Sequence, residues 1–135
     1  MGEFSIGQPV TRLEDPRLLK GQGRYLDDIS YDRQLYAVIL RSPHAHAEIV
    51  SIDTSAAEAA PGVHAVFTGA DYRADGMGVV PCMGNYTQRD GSPMYIPDRP
   101  ALAVGKVMHI GYPVAMAVAE TEAQARDAIE LIDAD

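Results

Sequence analysis

The chain has 135 residues, 47% of them hydrophobic and 22% charged, so it can bury enough apolar surface to offset the entropy of ordering, which excludes a disordered class. Lys and Arg number 11 against 19 Asp and Glu, a net charge of −8, which repels phosphate backbones and excludes general nucleic-acid binding. No run reaches the ~18 apolar residues of a membrane span, and Met1-Gly2-Glu3-Phe4-Ser5 lacks the basic and apolar regions of a secretory signal.

Asp15-Pro16 opens the first element. Asp15 can cap a helix start, and Pro16 suits the first helical position, where its missing N–H does no harm. Leu18, Leu19 and Lys20 follow and Gly21 supplies a stop, so one or two helical turns are expected. Leu35 to Leu40 is a continuous apolar run and reads as a strand buried on both faces. Ala47 to Ile52 reads as a second strand. Asp53-Thr54-Ser55 offers helix caps, Ala56, Ala57, Ala59 and Ala60 favour helix, and Pro61-Gly62 stops it. Val63 to Thr68 is a third strand.

From Asp71 to Arg99 the periodicity fails. Gly76, Gly78, Gly84, Gly91, Pro81, Pro93 and Pro97 mark a loop, long enough to imply packing against something else or a function. Met77, Met83, Met94, Tyr86, Tyr95 and Ile96 can anchor it. Ala101 to Val104 and Val107 to Ile110 are short strand candidates, and Gly111-Tyr112-Pro113 turns the chain. Val114 to Ala119 reads as a buried strand whose small residues suggest close packing by a helix. Thr121 and Gln124 make a capping box, and Ala125, Ala128, Ile129 and Ile132 follow at i, i+3, i+4 and i+7. Residues 111–135 carry Arg126 against Glu120, Glu122, Asp127, Glu130, Asp133 and Asp135, which reads as a solvated helix face.

Chemistry-bearing candidates are sparse. Cys82 is the single cysteine, so no disulfide and no all-cysteine zinc or iron–sulfur site can form within the chain. One thiol fits a reducing compartment, and Cys82 reads as inert. His44-Ala45-His46, if extended, puts both rings on one face at a spacing that can hold a metal. Further ligands would have to come from elsewhere, and nothing places His64 or His109 nearby, so a turn with solvated imidazoles competes. Gly21 and Gly23 lack the third glycine or the Gly-Lys-Ser/Thr ending of a phosphate loop, and Asp27-Asp28 would repel phosphate. Arg41 could bind an anion or form an ion pair. No Gly-x-Ser-x-Gly, Ser-x-x-Lys or Cys–His nucleophile pattern occurs. The residues alone describe a soluble α+β domain without its own active site.

The order of the motifs adds to this. Asp15-Pro16, Lys20-Gly21-x-Gly23-x-Tyr25-x-Asp27-Asp28 forms a first block, and Leu40-Arg41-Ser42-Pro43-His44-Ala45-His46-Ala47 with Ile49 and Ile52-Asp53 a second. Pro61-Gly62-Val63-x-x-Val66-Phe67-Thr68-Gly69-Ala70-Asp71 is a third. Gly111-x-Pro113-Val114-Ala115-x-x-Val118-Ala119 and its alanine-rich helix complete the set. In this order the blocks resemble the N-terminal α/β hammerhead domain of the molybdenum hydroxylase large subunits, the family of xanthine dehydrogenase, aldehyde oxidase and aerobic carbon monoxide dehydrogenase. The resemblance is weakest from Tyr72 to Arg99.

It implies an α+β hammerhead fold, a mixed β-sheet with packed helices. It also implies oxidative hydroxylation by the full subunit, with oxygen from water, electrons passed to molybdenum, and iron–sulfur centres and FAD on partner domains or subunits. Location would be cytoplasmic. Tyr112 departs from the family, which usually has an acidic or amide residue there, so a contact to another domain could differ. Family members continue into another strand and the molybdopterin-binding domains, and Leu131 to Asp135 resembles the start of that strand. Residues 1–135 are therefore expected to be one hammerhead domain truncated before its last strand. Its role is architectural, with no catalytic, cofactor or metal residue carried over. Two other readings stand beside it: a stand-alone interaction module using the loop 71–99, and a metal-dependent hydrolase using His44 and His46.

Overall fold

A seven-residue strand of small and apolar side chains, Pro113–Ala119, organises the larger part of the molecule. In the computed structural model, which describes Gly7 and residues 11–84 and 86–135, the chain divides into two units, Met1–Gln34 and Leu35–Asp135. The start at Met1 to Ser5 lies outside the described residues.

In the first unit, helix α1 (Asp15–Leu19) is one turn with Pro16 near its start. Glu14, not Asp15, holds the cap position. The Asp15 carboxylate instead folds back to accept the Arg12 N–H at 3.1 Å. Gly21 ends the helix at φ +68°. Its N–H donates to Leu18 and that of Gln22 to Arg17, both at 3.0 Å, a closure that needs the left-handed glycine. Asp28 turns its carboxylate onto the Tyr25 N–H at 2.9 Å, within a 3-10 turn over Leu26–Asp28. The Asp27-Asp28 pair thus serves a turn.

In the second unit the strands are β1 (Tyr36–Arg41), β2 (Ala47–Glu48), β3 (Ile52–Asp53), β4 (Val63–Thr68), β5 (Lys106–Val107), β6 (Pro113–Ala119) and β7 (Asp133–Ala134). The helices are α2 (Ser55–Glu58), α3 (Gly69–Ala74) and α4 (Glu122–Glu130). The expected mixed sheet resolves into three small sheets, β1-β6-β4, β2-β5 and β3-β7, antiparallel in every ladder described. Val38, Ala117 and Val66 share one row across the first sheet, and Leu40, Ala115 and Thr68 share the row two residues on. Ala57, Val66, Ala115, Ala117, Ala128 and Ile132 form one core cluster there. Ala103, Val107, Tyr112 and Val114 form a second.

The capping residue of α4 and its stripe through Ile129 are where the sequence puts them, while Ile132 falls past the helix end at Glu130. Thr121 Oγ1 accepts the Gln124 N–H at 3.2 Å, and Ala125 and Ala128 are fully buried. Three other expectations change. The apolar run at Leu35 to Leu40 is an edge strand, half-buried, with Ala37 and Arg41 exposed. Ala101 to Val104 makes no strand, and only Ala103 is tied in, its N–H donating to Pro113 at 2.8 Å. The stretch after Thr68 starts as helix α3. Thr68 Oγ1 accepts the Asp71 N–H, and the Asp71 carboxylate accepts the Thr68 N–H at 2.8 Å and its hydroxyl at 2.6 Å. That reciprocal cap nucleates the turn without any hydrophobic periodicity.

These same bonds hold the Asp71 carboxyl below the ordinary aspartate value of 3.8, the Thr68 hydroxyl first and its N–H second. Because the folded value is the lower one, the contribution of Asp71 is complete above the ordinary range. It is lost as pH falls through the depressed value. Asp71→Asn should therefore lower stability at pH 7 and flatten its acid dependence, read as urea midpoints from pH 2 to 7.

The expected second strand, Ala47 to Ile52, is split by a bulge. Val50 and Ser51 both donate to the Asp135 carbonyl, at 2.7 and 3.4 Å, and the Asp135 N–H returns to Ser51 at 3.0 Å. Two residues thus oppose one. The extra residue explains the burial pattern: Ala47, Ile49 and Ile52 turn inward while Val50 and Ser51 are both exposed. At the same ladder Asp53 faces Asp133 directly. The Ser55 N–H and side chain hold the Asp53 carboxyl below its ordinary value, and like-charged side chains directly opposite in a ladder are unfavourable. Asp133→Lys should raise the urea midpoint, and the gain should shrink in 1 M salt.

Candidate functional site

In the second unit a cleft of about 300 Å³ lies where the three sheets meet. Its floor is apolar, from Leu40, Ala47, Val107, Val114 and Ile132. Its rim carries Arg41, Ser42, His44 and Glu48 from one side and Asp133 and Asp135 from the other.

Arg41 and Ser42 on this rim are spent on the fold. Past a register shift between Leu40 and Arg41, the Arg41 guanidinium donates to the Gly111 carbonyl at 2.9 Å, which answers the anion-or-ion-pair question with a backbone partner. Ser42, the one buried polar residue among those described, exchanges backbone bonds with the next turn. Its N–H donates to Tyr112 at 2.9 Å, and its carbonyl accepts from Gly111 at 2.8 Å. Its hydroxyl accepts the His44 N–H at 3.0 Å, making the Ser42-Pro43-His44 turn. Tyr112 is buried in the second core cluster, its ring tilted at 49° to that of His109 with a centroid distance of 4.8 Å.

His44 and His46 are both exposed on this turn. His64 stands 3.7 Å from Glu120 and His109 contacts the Ile110 carbonyl at 2.9 Å. Among the described residues no three His, Cys, Asp or Glu side chains gather as a metal site would require. The two-histidine hydrolase reading therefore lacks its ligands. Cys82 is exposed and its thiol faces the Gly84 carbonyl. Within the loop 71–99, Tyr72 bonds the Gly78 carbonyl at 2.6 Å, and Thr87 bridges Pro93 in a small hairpin. Met77, Val79, Val80, Met83, Tyr95 and Ile96 stay exposed. No helix among the described residues is long and apolar enough to cross a membrane.

This order of elements matches a known domain. Residues 20–135 fit the family model of the aldehyde oxidase and xanthine dehydrogenase a/b hammerhead domain. The chain belongs to this family. Over 127 residues it is 46% identical to the nicotine 6-hydroxylase large subunit of Paenarthrobacter nicotinovorans, covering 94% of this chain and 15% of that protein. Over 130 residues it is 40% identical to the carbon monoxide dehydrogenase large chain of Afipia carboxidovorans, covering 96% and 15%. Quinoline 2-oxidoreductase from Pseudomonas putida 86 superposes with a TM-score of 0.79 at 41% identity, over 99% of this chain and 16% of that one. The chain thus spans about 15% of the length of these relatives. The hammerhead relatives favour neither the stand-alone interaction module nor the hydrolase. What local reasoning missed in the hammerhead domain was the cleft: its walls come from residues 40–49, 107–114 and 132–135, which only the register brings together.

Proposed function

We propose that this chain is the first domain of a molybdenum hydroxylase large subunit, an oxidoreductase, and that its part there is architectural. The carrying observation is the match of residues 20–135 to the hammerhead domain in a chain spanning about 15% of its relatives. The packing supports it. Among the described residues the apolar side chains with no exposed surface are all alanines, Ala57, Ala115, Ala117, Ala119, Ala125 and Ala128, while many large apolar side chains stay exposed. Such a domain gains its remaining burial from neighbouring protein.

A molybdopterin-type cofactor is implied by relatives such as the Cu,Mo-CO dehydrogenase. The described residues do not fit it: the cleft floor is apolar, the Arg41 guanidinium and the Ser42 hydroxyl are bonded within the fold, and no three His, Cys, Asp or Glu side chains gather there. The molybdenum centre, which accepts the electrons of hydroxylation, belongs to further domains of the subunit. Iron–sulfur clusters and FAD lie on partner domains or subunits, in the cytoplasm.

Immunoblotting of source-cell extract with an antibody to this chain tests the reading. A band several times larger than 14.5 kDa, whose purified protein carries molybdenum, is expected. A band near 14.5 kDa, or a large protein without molybdenum, would overturn it.

A further inference from the structure

Two peptide bonds of the chain join an aspartate to a glycine, Asp75-Gly76 and Asp90-Gly91. Such a bond can rearrange with water as the only reagent. The glycine nitrogen attacks the side-chain carboxyl carbon and gives up its proton, and the hydroxyl of the protonated carboxyl leaves as water. Water then reopens the cyclic succinimide. When the bond to the main-chain carbonyl breaks, the chain runs on through the side chain as isoaspartate, and the old main-chain carbonyl becomes a free carboxylate. One water leaves and one returns. Glycine is the permissive neighbour because no side chain hinders its nitrogen. A Cβ at Gly76 or at Gly91 would meet nothing within 4 Å, and both glycines sit at positive φ, +70° and +85°, so both sites have room for the ring. Their bonding separates them.

Asp90-Gly91 lies inside a closed turn. The Gly91 N–H donates to the Gln88 carbonyl at 3.0 Å, and the Gln88 N–H donates to the Ser92 carbonyl at 2.7 Å. The Gln88 side-chain amide adds a bond to the Pro93 carbonyl at 3.1 Å. The Asp90 carboxylate accepts the Ser92 N–H at 3.0 Å and the Ser92 hydroxyl at 2.6 Å. These donors, the hydroxyl first, hold the Asp90 carboxyl below the ordinary 3.8. The neutral acid that can lose water is therefore scarcer, and the carboxylate is committed to Ser92. Asp75-Gly76 instead ends α3. The side-chain bonds there are Thr68 with Asp71 and Tyr72 with Gly78, and the Asp75 carboxylate has no partner among the described residues. Its neighbour's N–H makes one bond, to the Arg73 carbonyl at 3.0 Å, and the Met77 N–H closes on Tyr72 at 3.3 Å. Asp75 and Gly76 are both exposed. Ring closure needs the Asp75 ψ to turn away from its value of 1°. That requires opening only the last turn of a short helix, an end of the kind that frays at low cost.

We propose that Asp75-Gly76 is a site of spontaneous isoaspartate formation in the folded protein, and that the Ser92 clamp spares Asp90-Gly91. The product inserts one methylene into the main chain between Asp75 and Gly76. The Met77 N–H then falls out of register with the Tyr72 carbonyl, and the Tyr72 hydroxyl with the Gly78 carbonyl. The segment that follows, with Met77, Val79 and Val80 exposed, is thereby released from α3. The change accumulates with the age of each molecule, and it stands independently of the architectural reading.

The test incubates the full-length protein, folded, in mildly acidic buffer made with heavy-oxygen water. Peptides are then mapped by fragmentation that distinguishes isoaspartate from aspartate. Heavy oxygen reports passage through the succinimide, and the linkage reports its outcome. The peptide holding Asp75 should gain both at least about tenfold faster than the peptide holding Asp90, the ratio that one further hydrogen bond to a charged acceptor supports. Asp75→Glu keeps the charge but closes the ring poorly, and it should remove the signal at that position. Ser92→Ala should raise the rate at Asp90 toward that at Asp75. Equal rates at the two sites, a faster Asp90, no isoaspartate at Asp75, or an Asp90 rate unmoved by Ser92→Ala would each overturn the proposal. If Ser92→Ala does not fold, the comparison of the two sites in the unsubstituted protein decides.

Discussion

Ala117→Leu should destabilise the domain by about 1–3 kcal/mol and lower its thermal midpoint by about 4–8 °C for each kcal/mol. Ala117 lies at the centre of β1-β6-β4, between Val38 and Val66, and has no exposed surface. Its neighbours in the core include Ala57, Ala115 and Ala128 from α2, β6 and α4. Methyl groups on both sides let the helix lie close to the sheet. A leucine there finds no free volume and must push α4 away or adopt a strained rotamer. Ala56→Leu is the control. Ala56 is exposed one residue from buried Ala57, and that change should stay within about 0.5 kcal/mol. Equal melting of the two variants would show that the seam tolerates bulk.

Gly69→Ala should be comparably damaging although it adds one methyl group. Gly69 is buried where β4 passes into α3. A Cβ there would drive into the Ala103 carbonyl oxygen. That carbonyl has little room to retreat, because the Ala103 N–H is bonded to Pro113 at the start of the central strand. The expected loss is about 1–3 kcal/mol, with the Thr68–Asp71 cap disturbed as well. Gly76→Ala, a glycine with open space around it at φ +70°, separates the effects: it carries backbone strain without a clash. If Gly69→Ala melts like the wild type, the close approach of the α3 start to Ala103 is wrong.

The elements legible in the sequence are those whose signals are local. Val63 to Thr68, Val114 to Ala119 and the Thr121-capped stripe each carry their own periodicity or cap, and the structure holds them within a residue. What failed depends on partners distant in sequence. Leu35 to Leu40 has the composition of a central strand, yet strand order, which composition does not encode, makes it an edge. Ala47 to Ile52 reads as one strand, and only the opposing Asp135 reveals the bulge that splits it. Helix α3 was legible through Thr68-x-x-Asp71, but the glycines that follow dominated. For the candidate site, His44 and His46 were visible as a pair, and that no third ligand gathers with them among the described residues is a tertiary fact. The motif order reached the family where single motifs did not.

The alanine seam also shapes how the domain responds to temperature. Alanine freezes no rotamers on burial, so joining α4 to the sheet costs little side-chain entropy. Each alanine also removes little apolar area from water, and the heat-capacity increment of unfolding grows with that area. A layer built from Ala57, Ala115, Ala117, Ala119, Ala125 and Ala128 therefore adds little curvature to the stability profile. Its hold on the helix fades slowly on cooling and on warming alike, since it depends on proximity and not on extent of contact.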